Sequence, residues 1–276
     1  MSITICNLSN VYGNQPYLEG LKFSEKATWL DLLDISGTDC YCDDEAVATI
    51  RKKIADAGIT DARGIHFIDN GNYHYMSKIW TDMVQEPFTL VVFDHHPDMQ
   101  EPRFGDILSC GGWVKKTLDE NKFIDNVVLI GVADHLVEEI GAEIASHPAG
   151  ARNDMQQKVT FIRESEIVTL EGRSPDRVHS TLHIPHSAPL YISIDKDVLA
   201  PAYAATNWDQ GSLSLEQMKA FIEELSKDRR IIGVDICGER ARDFNGDKHH
   251  SVQEADALNN KLNRDLAEFF DSINES

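Results

Sequence analysis

The residues of this chain best suited to chemistry are Asp94-His95-His96-Pro97-Asp98, directly behind the apolar run Phe88 to Phe93. Such a run reads as a buried strand. A strand delivers the residues at its C-terminal end to one edge of a sheet, where open α/β folds place their ligands. Period-two geometry predicts that Asp94, His96 and Asp98 lean to one side, while His95 turns away from them. A second segment has the same design: Leu190-Tyr191-Ile192-Ser193-Ile194 runs into Asp195-Lys196-Asp197. Asp94, His96, Asp98, Asp195 and Asp197 together offer four carboxylates and one imidazole. Carboxylate-rich sites suit Mg²⁺ or Mn²⁺, and an imidazole shifts the balance toward a transition metal such as Mn²⁺. Four carboxylates exceed what one divalent ion in an apolar cleft needs, and they suit two ions that share bridging carboxylates. A dinuclear site makes hydroxide from water near neutral pH and orients it for attack. A solvated acidic rim is the plain alternative for one such motif, but a second motif of the same design argues against it.

These residues need a scaffold, and the apolar patterning supplies one. Ile65 to Ile68, Phe88 to Phe93, Val127 to Val132, Val159 to Ile162, Leu190 to Ile194 and Ile231 to Ile236 read as strands. Helical patterns lie before, between and after them, at Asp43 to Ala57, His74 to Val84, Gly112 to Asn121, His135 to Ala145, Leu215 to Leu225 and Val252 to Ile273. Ser214 is a fitting N-cap for the helix that begins at Leu215. Strands alternating with helices predict a mostly parallel sheet covered on both faces, a three-layer α/β/α fold. No repeat or long linker interrupts the pattern, so residues 1–276 are expected to form a single domain. Residues 171–188 are polar and irregular and read as a surface excursion.

Composition narrows the function classes. The chain has 276 residues with 42% apolar content, enough for a substantial core. Its formal net charge of -20, from 26 basic and 46 acidic residues, disfavours nucleic acid and anionic membranes as partners. A small-molecule substrate is expected instead. The apolar stretches fall far short of a membrane span. Met1-Ser2-Ile3-Thr4-Ile5-Cys6 lacks the pattern of a signal peptide. Five scattered cysteines fit a reducing cytosol better than a disulfide framework, so the expected location is cytoplasmic.

Other residues carry two readings each. Cys110 is flanked by glycine at a helix start, where a thiol pKa can fall, or it is a small residue packed under the cleft. Asn207-Trp208-Asp209-Gln210-Gly211 joins an aromatic ring to a carboxylate, a fair cation receptor, or it is a turn before the Ser214 helix. Glu239 and Arg240 follow a late strand, at a functional position or as a surface ion pair. Cys40-Tyr41-Cys42 lacks the partner pair that a zinc site needs, and His179, His183 and His186 match no metal template.

The two carboxylate motifs resemble those of the arginase/agmatinase ureohydrolase family. There, Asp-x-His-x-Asp follows one strand and Ser-x-Asp-x-Asp ends a later one. Gly71-Asn72-Tyr73-His74 matches the family's upstream histidine segment, and the similarity spans roughly residues 64–240. The resemblance implies an arginase-like fold and two Mn²⁺ per chain. It implies that His74 and Asp98 bind one ion, that His96 and Asp197 bind the other, and that Asp94 and Asp195 bridge. A metal-bridging hydroxide, held also by Asp98, would attack the planar carbon of a guanidinium or amidine and release an amine. Family members commonly assemble as homo-oligomers.

The chain departs from the family pattern in three places. Ala200-Pro201 keeps only the proline of an Asp-Pro pair. Asp235-Ile236-Cys237-Gly238-Glu239 places its acid one residue later than the family's Asp-x-x-Glu. Ser109-Cys110-Gly111-Gly112-Trp113 stands where arginases carry His-Gly for proton transfer, with Cys110 nearest the missing histidine. The expectation is a retained metal centre and a remodelled pocket. Asp98, Glu239 and Cys110 are then the catalytic candidates, and Trp208, Asp209 and Glu239 the substrate candidates. The expected activity is hydrolysis of a C–N bond in a guanidino or amidino compound other than free arginine. The alternatives are a deacetylase-like amidohydrolase with one zinc, and a non-catalytic member that binds metal.

Overall fold

The computed structural model describes residues 1–17, 19, 27–102, 105–146, 158–169 and 188–275. His179, His183 and His186, and all but the end of the expected excursion at 171–188, lie outside them. Among the described residues, eight strands form one sheet in the order β2-β1-β4-β10-β9-β5-β7-β8. They are β1 (Ile3–Asn7), β2 (Ala27–Asp31), β4 (Ile65–Ile68), β5 (Phe88–Phe93), β7 (Ile124–Val132), β8 (Val159–Arg163), β9 (Leu190–Asp195) and β10 (Ile231–Cys237). All their pairings are parallel. Two short antiparallel strands, β3 (Tyr41–Cys42) and β6 (Leu108–Ser109), pair apart from this sheet.

Alternation along the strands builds two cores. Val91 and Phe93 of β5, with Leu190, Ile192 and Ile194 of β9, pack toward the helices Leu215–Ser226 and Val252–Glu275. Phe88, Leu90 and Val92, with Tyr191, pack toward α1 (Asp44–Asp56), α2 (Met76–Thr81), α3 (Trp113–Glu120) and α4 (Asp134–Ser146). The sheet is therefore sandwiched between two helical layers, as the sequence predicts. The fully buried central strands explain their near-continuous apolar runs. Among the described residues no helix is long and apolar enough to cross a membrane.

Three expectations change in detail. β1 and β2 were not anticipated: β1 is short and carries polar Thr4 and Asn7, and β2 is a half-exposed edge strand. The helix expected at His74 to Val84 is shorter. A 3₁₀ turn at Gly71–Tyr73 comes first, capped by Asn70, whose side chain accepts from the Asn72 N–H at 3.0 Å. Regular strand geometry stops at Phe93, so alternation does not aim Asp98. Asp98 instead has φ 47°, a left-handed reversal that returns its carboxylate toward His74. Asp and Asn tolerate that region better than other side chains.

The strand order places the site. The chain passes from β4 to β5 across β10 and β9, and the C-terminal ends of all four open on one edge. Ligands gather at such a switch point. Phe93 pairs with Ile194, so the next residues, Asp94 and Asp195, leave their strands side by side.

Candidate metal centre

Asp94 and Asp195 are built alike. Asp94 Oδ1 accepts from the His96 N–H at 2.6 Å, and Asp195 Oδ1 accepts from the Asp197 N–H at 3.0 Å. Each turn secures one carboxylate oxygen and leaves Oδ2 for the cleft. His74 meets both. Its Nδ1 lies 3.2 Å from Asp94 Oδ2, 3.4 Å from Asp195 Oδ2 and 3.1 Å from Asp98 Oδ2. This buried nitrogen makes no hydrogen bond of acceptable geometry. Three carboxylate oxygens at nearly equal range around one unpaired ring nitrogen is the arrangement of donors facing a common cation.

The other ring nitrogen of His74 is held from behind. Nε2 lies 2.9 Å from Ser193 Oγ, which in turn lies 3.0 Å from Ser77 Oγ. With Nε2 carrying the proton, Nδ1 presents its lone pair, and a ligating histidine is usually fixed in this manner. Ser193 and Asp195 stand two apart on β9 and so share its α2-facing side. Ser193 opens the Ser-x-Asp-x-Asp motif read from the sequence, but that reading gives it no role; its spacing from Asp195 is the signal for one.

His96 repeats the arrangement. Its Nδ1 lies 2.9 Å from Asp197 Oδ2 and 3.6 Å from Asp94 Oδ1, and its Nε2 lies 3.0 Å from Asp209 Oδ1. Asp197 Oδ1 accepts from the His95 N–H at 3.0 Å. Two donor groups result, His74–Asp94–Asp195 and Asp94–His96–Asp197, and the ligand atoms within each lie within 4.8 Å of one another. Asp94 belongs to both. Imidazole and carboxylate donors fit a divalent cation of intermediate softness at each group. Asp98 stands at the margin of the first group, and its Oδ2 also accepts from Trp113 Nε1 at 2.7 Å. His95 is turned away: its ring abuts Gly211, where an added Cβ would come within 2.9 Å of Nδ1.

Electrostatics within the cluster are strained by burial. Burial, with Asp197 beside it, pushes Asp195 up to about 8. Burial, with Asp94 beside it, pushes Asp197 up to about 6. Burial works against protonation of His96, but the carboxylates of Asp197 and Asp94 overcome it and push its pKa up to about 12. Crowded carboxylates that share protons with neighbouring imidazoles are ready to exchange those protons for cations.

The mouth of the site is formed by the segment after the second motif. The Gly71 N–H donates to Asn207 Oδ1 at 3.0 Å, and Trp208 Nε1 donates to Asn72 Oδ1 at 3.2 Å. Gly71 is required here, since a Cβ would meet the Trp208 ring at 2.6 Å. Trp208 is 42% exposed and its ring centroid lies 5.8 Å from that of His96. Asp209 is open to solvent, with Oδ2 3.8 Å from His95 Nε2. An aromatic face and an accessible carboxylate therefore flank the donor cluster.

Two catalytic candidates sit elsewhere. Glu239 is fully buried, with its carboxylate on Lys196 Nζ, Gln15 Nε2 (2.8 Å), Asn259 Nδ2 (2.9 Å) and Asn263 Nδ2 (2.8 Å). Burial opposes its ionisation, but Lys196, Gln15 and Asn263 hold its pKa below the usual value. Gly238, before it, lies against the cluster: an added Cβ there would come 2.3 Å from Asp195 Oδ1. Asp235 is also buried below the site, accepting from Tyr191 Oη and contacting His66 Nδ1, both at 2.8 Å. Cys110 faces Cys40, and its thiol is pushed up, not down, by its hydrogen bond to Cys40 and by burial.

The profile of the arginase family matches residues 17–239. A protein of Thermotoga maritima, described only as uncharacterised, is 30% identical over 176 residues, which cover 64% of this chain and 58% of that protein. Among solved structures, proclavaminate amidino hydrolase from Streptomyces clavuligerus superposes with a TM-score of 0.61 at 15% identity, over 97% of this chain and 92% of its own. Agmatine ureohydrolase of Thermoplasma volcanium gives 0.59 at 17% identity, over 99% and 89%. A triple mutant of the T. brucei arginase-like protein, bound with Mn²⁺, gives 0.55 at 15% identity, over 97% and 90%. At such identities the likeness is one of fold.

Proposed function

This chain belongs to the arginase family, and from that premise we propose that it hydrolyses a C–N bond in a guanidino or amidino compound with the aid of two Mn²⁺ ions. The observation that carries the reading is the sharing of Asp94 between two donor groups, each with its own histidine. His74, Asp94, Asp98 and Asp195 would hold one ion and Asp94, His96 and Asp197 the other. When bound, such a pair supplies Lewis acidity and lowers the pKa of water enough for attack near neutral pH.

The chain's own residues do the rest. Ser193 and Asp209 fix the two imidazoles from behind, so that each presents Nδ1 to the cluster. Asp98 lies at the margin, where its carboxylate can hold a proton of the attacking water. The Trp208 face and the open Oδ2 of Asp209 grip the substrate cation at the mouth. Glu239 keeps to its lysine, and the grip on the substrate therefore differs from one that uses an acid at that strand end. The substrate is accordingly not free arginine.

The test is steady-state kinetics of the Mn²⁺-loaded protein on arginine, agmatine, formiminoglutamate and guanidinobutyrate. Turnover of one of the last three, with arginine poor, supports the reading. Arginine hydrolysis with kcat/KM above about 10⁴ M⁻¹s⁻¹ would refute its substrate part. Silence across the panel would favour a metal-binding member without turnover, which the caged Glu239 also allows.

A further inference from the structure

Cys40 and Cys110 lie apart in sequence and outside the donor cluster, yet the fold sets them face to face. β3 and β6 pair antiparallel with Tyr41 opposite Ser109 and Cys42 opposite Leu108. Cys40 and Cys110 are the next residues beyond this ladder, Cys40 turning with φ 58° and Cys110 opening a 3₁₀ turn, and the Cys110 N–H still donates across to the Cys40 carbonyl at 2.9 Å. Directly opposed residues in an antiparallel pair have Cα atoms about 4.5–5.5 Å apart. A disulfide spans Cα separations of about 4.4–6.8 Å. Both cysteines are partly exposed, whereas Cys6, Cys42 and Cys237 are buried.

We propose that Cys40 and Cys110 are a reversible thiol–disulfide site, oxidised by exchange with a small-molecule disulfide such as oxidised glutathione. The pairing needs no change of strand register. The two side chains already contact each other, and the Cys110 thiol stabilises the anionic form of Cys40, whose pKa is lowered by that hydrogen bond. Cys40 thiolate attacks one sulfur of the small disulfide and expels one thiolate. Cys110, as thiolate, then attacks the Cys40 sulfur of the mixed disulfide and expels the second. Two protein thiols are oxidised, one small disulfide is reduced to two thiols, and the two protons pass to those leaving groups. Cys42 does not compete, because burial and its acidic neighbours push its thiol up to about 12 and its position opposite Leu108 is in the core.

The bond would fasten the turn that leads into Trp113, the residue that holds Asp98. It does not depend on the metal reading, since neither sulfur belongs to the donor groups.

The experiment is exposure of the reduced full-length protein to excess oxidised glutathione, followed by acid quench, alkylation and peptide mapping without reduction. The expected result is loss of two hydrogens from the intact mass and a fragment in which Cys40 is joined to Cys110. Cys6, Cys42 and Cys237 should be alkylated after denaturation, and dithiothreitol should reverse the change. The Cys42→Ser variant should retain the cross-link and Cys40→Ser should lose it. A persistent glutathione adduct on Cys110, a bond from Cys42, or five free thiols after prolonged oxidation would each overturn the proposal.

Discussion

Asp209 Oδ1 sits 3.0 Å from Nε2 of His96, on the far side of the ring from Asp197, which sits 2.9 Å from Nδ1. A carboxylate behind a ligating imidazole fixes its tautomer and raises its basicity. The Asp209→Asn variant should therefore bind Mn²⁺ about 10–100-fold more weakly, while its urea midpoint stays close to that of the parent. Competition with a fluorescent chelator measures the affinity. An unchanged affinity would mean that Asp209 does not orient His96.

Gly238 adopts φ 92°, and a Cβ there would meet Asp195 Oδ1 at 2.3 Å and Lys196 N at 2.7 Å. Both neighbours are rigid parts of the second motif. Gly238→Ala should cost at least about 1–3 kcal/mol, the range for a residue forced into a sparsely populated backbone region. It should also weaken metal binding by displacing Asp195. Chemical denaturation and metal titration read the two effects, and a variant as stable as the parent would show that the turn relaxes freely.

Lys196 and Glu239 form an ion pair with no solvent access to either side chain. Breaking a buried pair from one side typically costs about 3–5 kcal/mol, because the other charge is left uncompensated. Lys196→Met and Glu239→Gln should each approach that loss, and the double variant should recover a large part of it. Strict additivity in the cycle would contradict the pairing.

The fold was legible where burial imposes a pattern. β4 and β5 begin and end where their apolar runs do, because both faces of each strand are covered. The two motifs were legible because the register of β5 on β9 brings neighbouring strand ends level. The aim of Asp98 was not, since it rests on a backbone reversal that alternation does not describe. Nor was the cage around Glu239, which gathers Gln15, Lys196 and, from the C-terminal helix, Asn259 and Asn263, out of three distant segments. The Cys40–Cys110 contact escaped for the same reason: it follows from a two-residue strand pair whose sequence carries no periodicity.

Acidity of the cluster yields a prediction about pH. Asp195 and Asp197 have pKa values raised to about 8 and about 6, against about 3.9 for an unfolded Asp. Without metal, their contribution to stability is present below the unfolded value and is lost as pH rises through 6 to 8. Metal must displace the same protons. Mn²⁺ affinity should therefore increase with pH over that window, and binding at pH 7 should release protons. Calorimetry in two buffers of different ionisation heat counts them. Equal heats in both buffers would show that the carboxylates are already ionised.

The account rests most directly on the number of ions held. The measurement is the metal content of chelator-stripped protein after dialysis against excess Mn²⁺, alongside the Asp94→Asn and His95→Ala variants. Two ions per chain are predicted for the parent and for His95→Ala, with both sites weakened in Asp94→Asn because its carboxylate serves the two donor groups. One tightly held zinc in the parent, or two ions retained undiminished by Asp94→Asn, would contradict the shared centre.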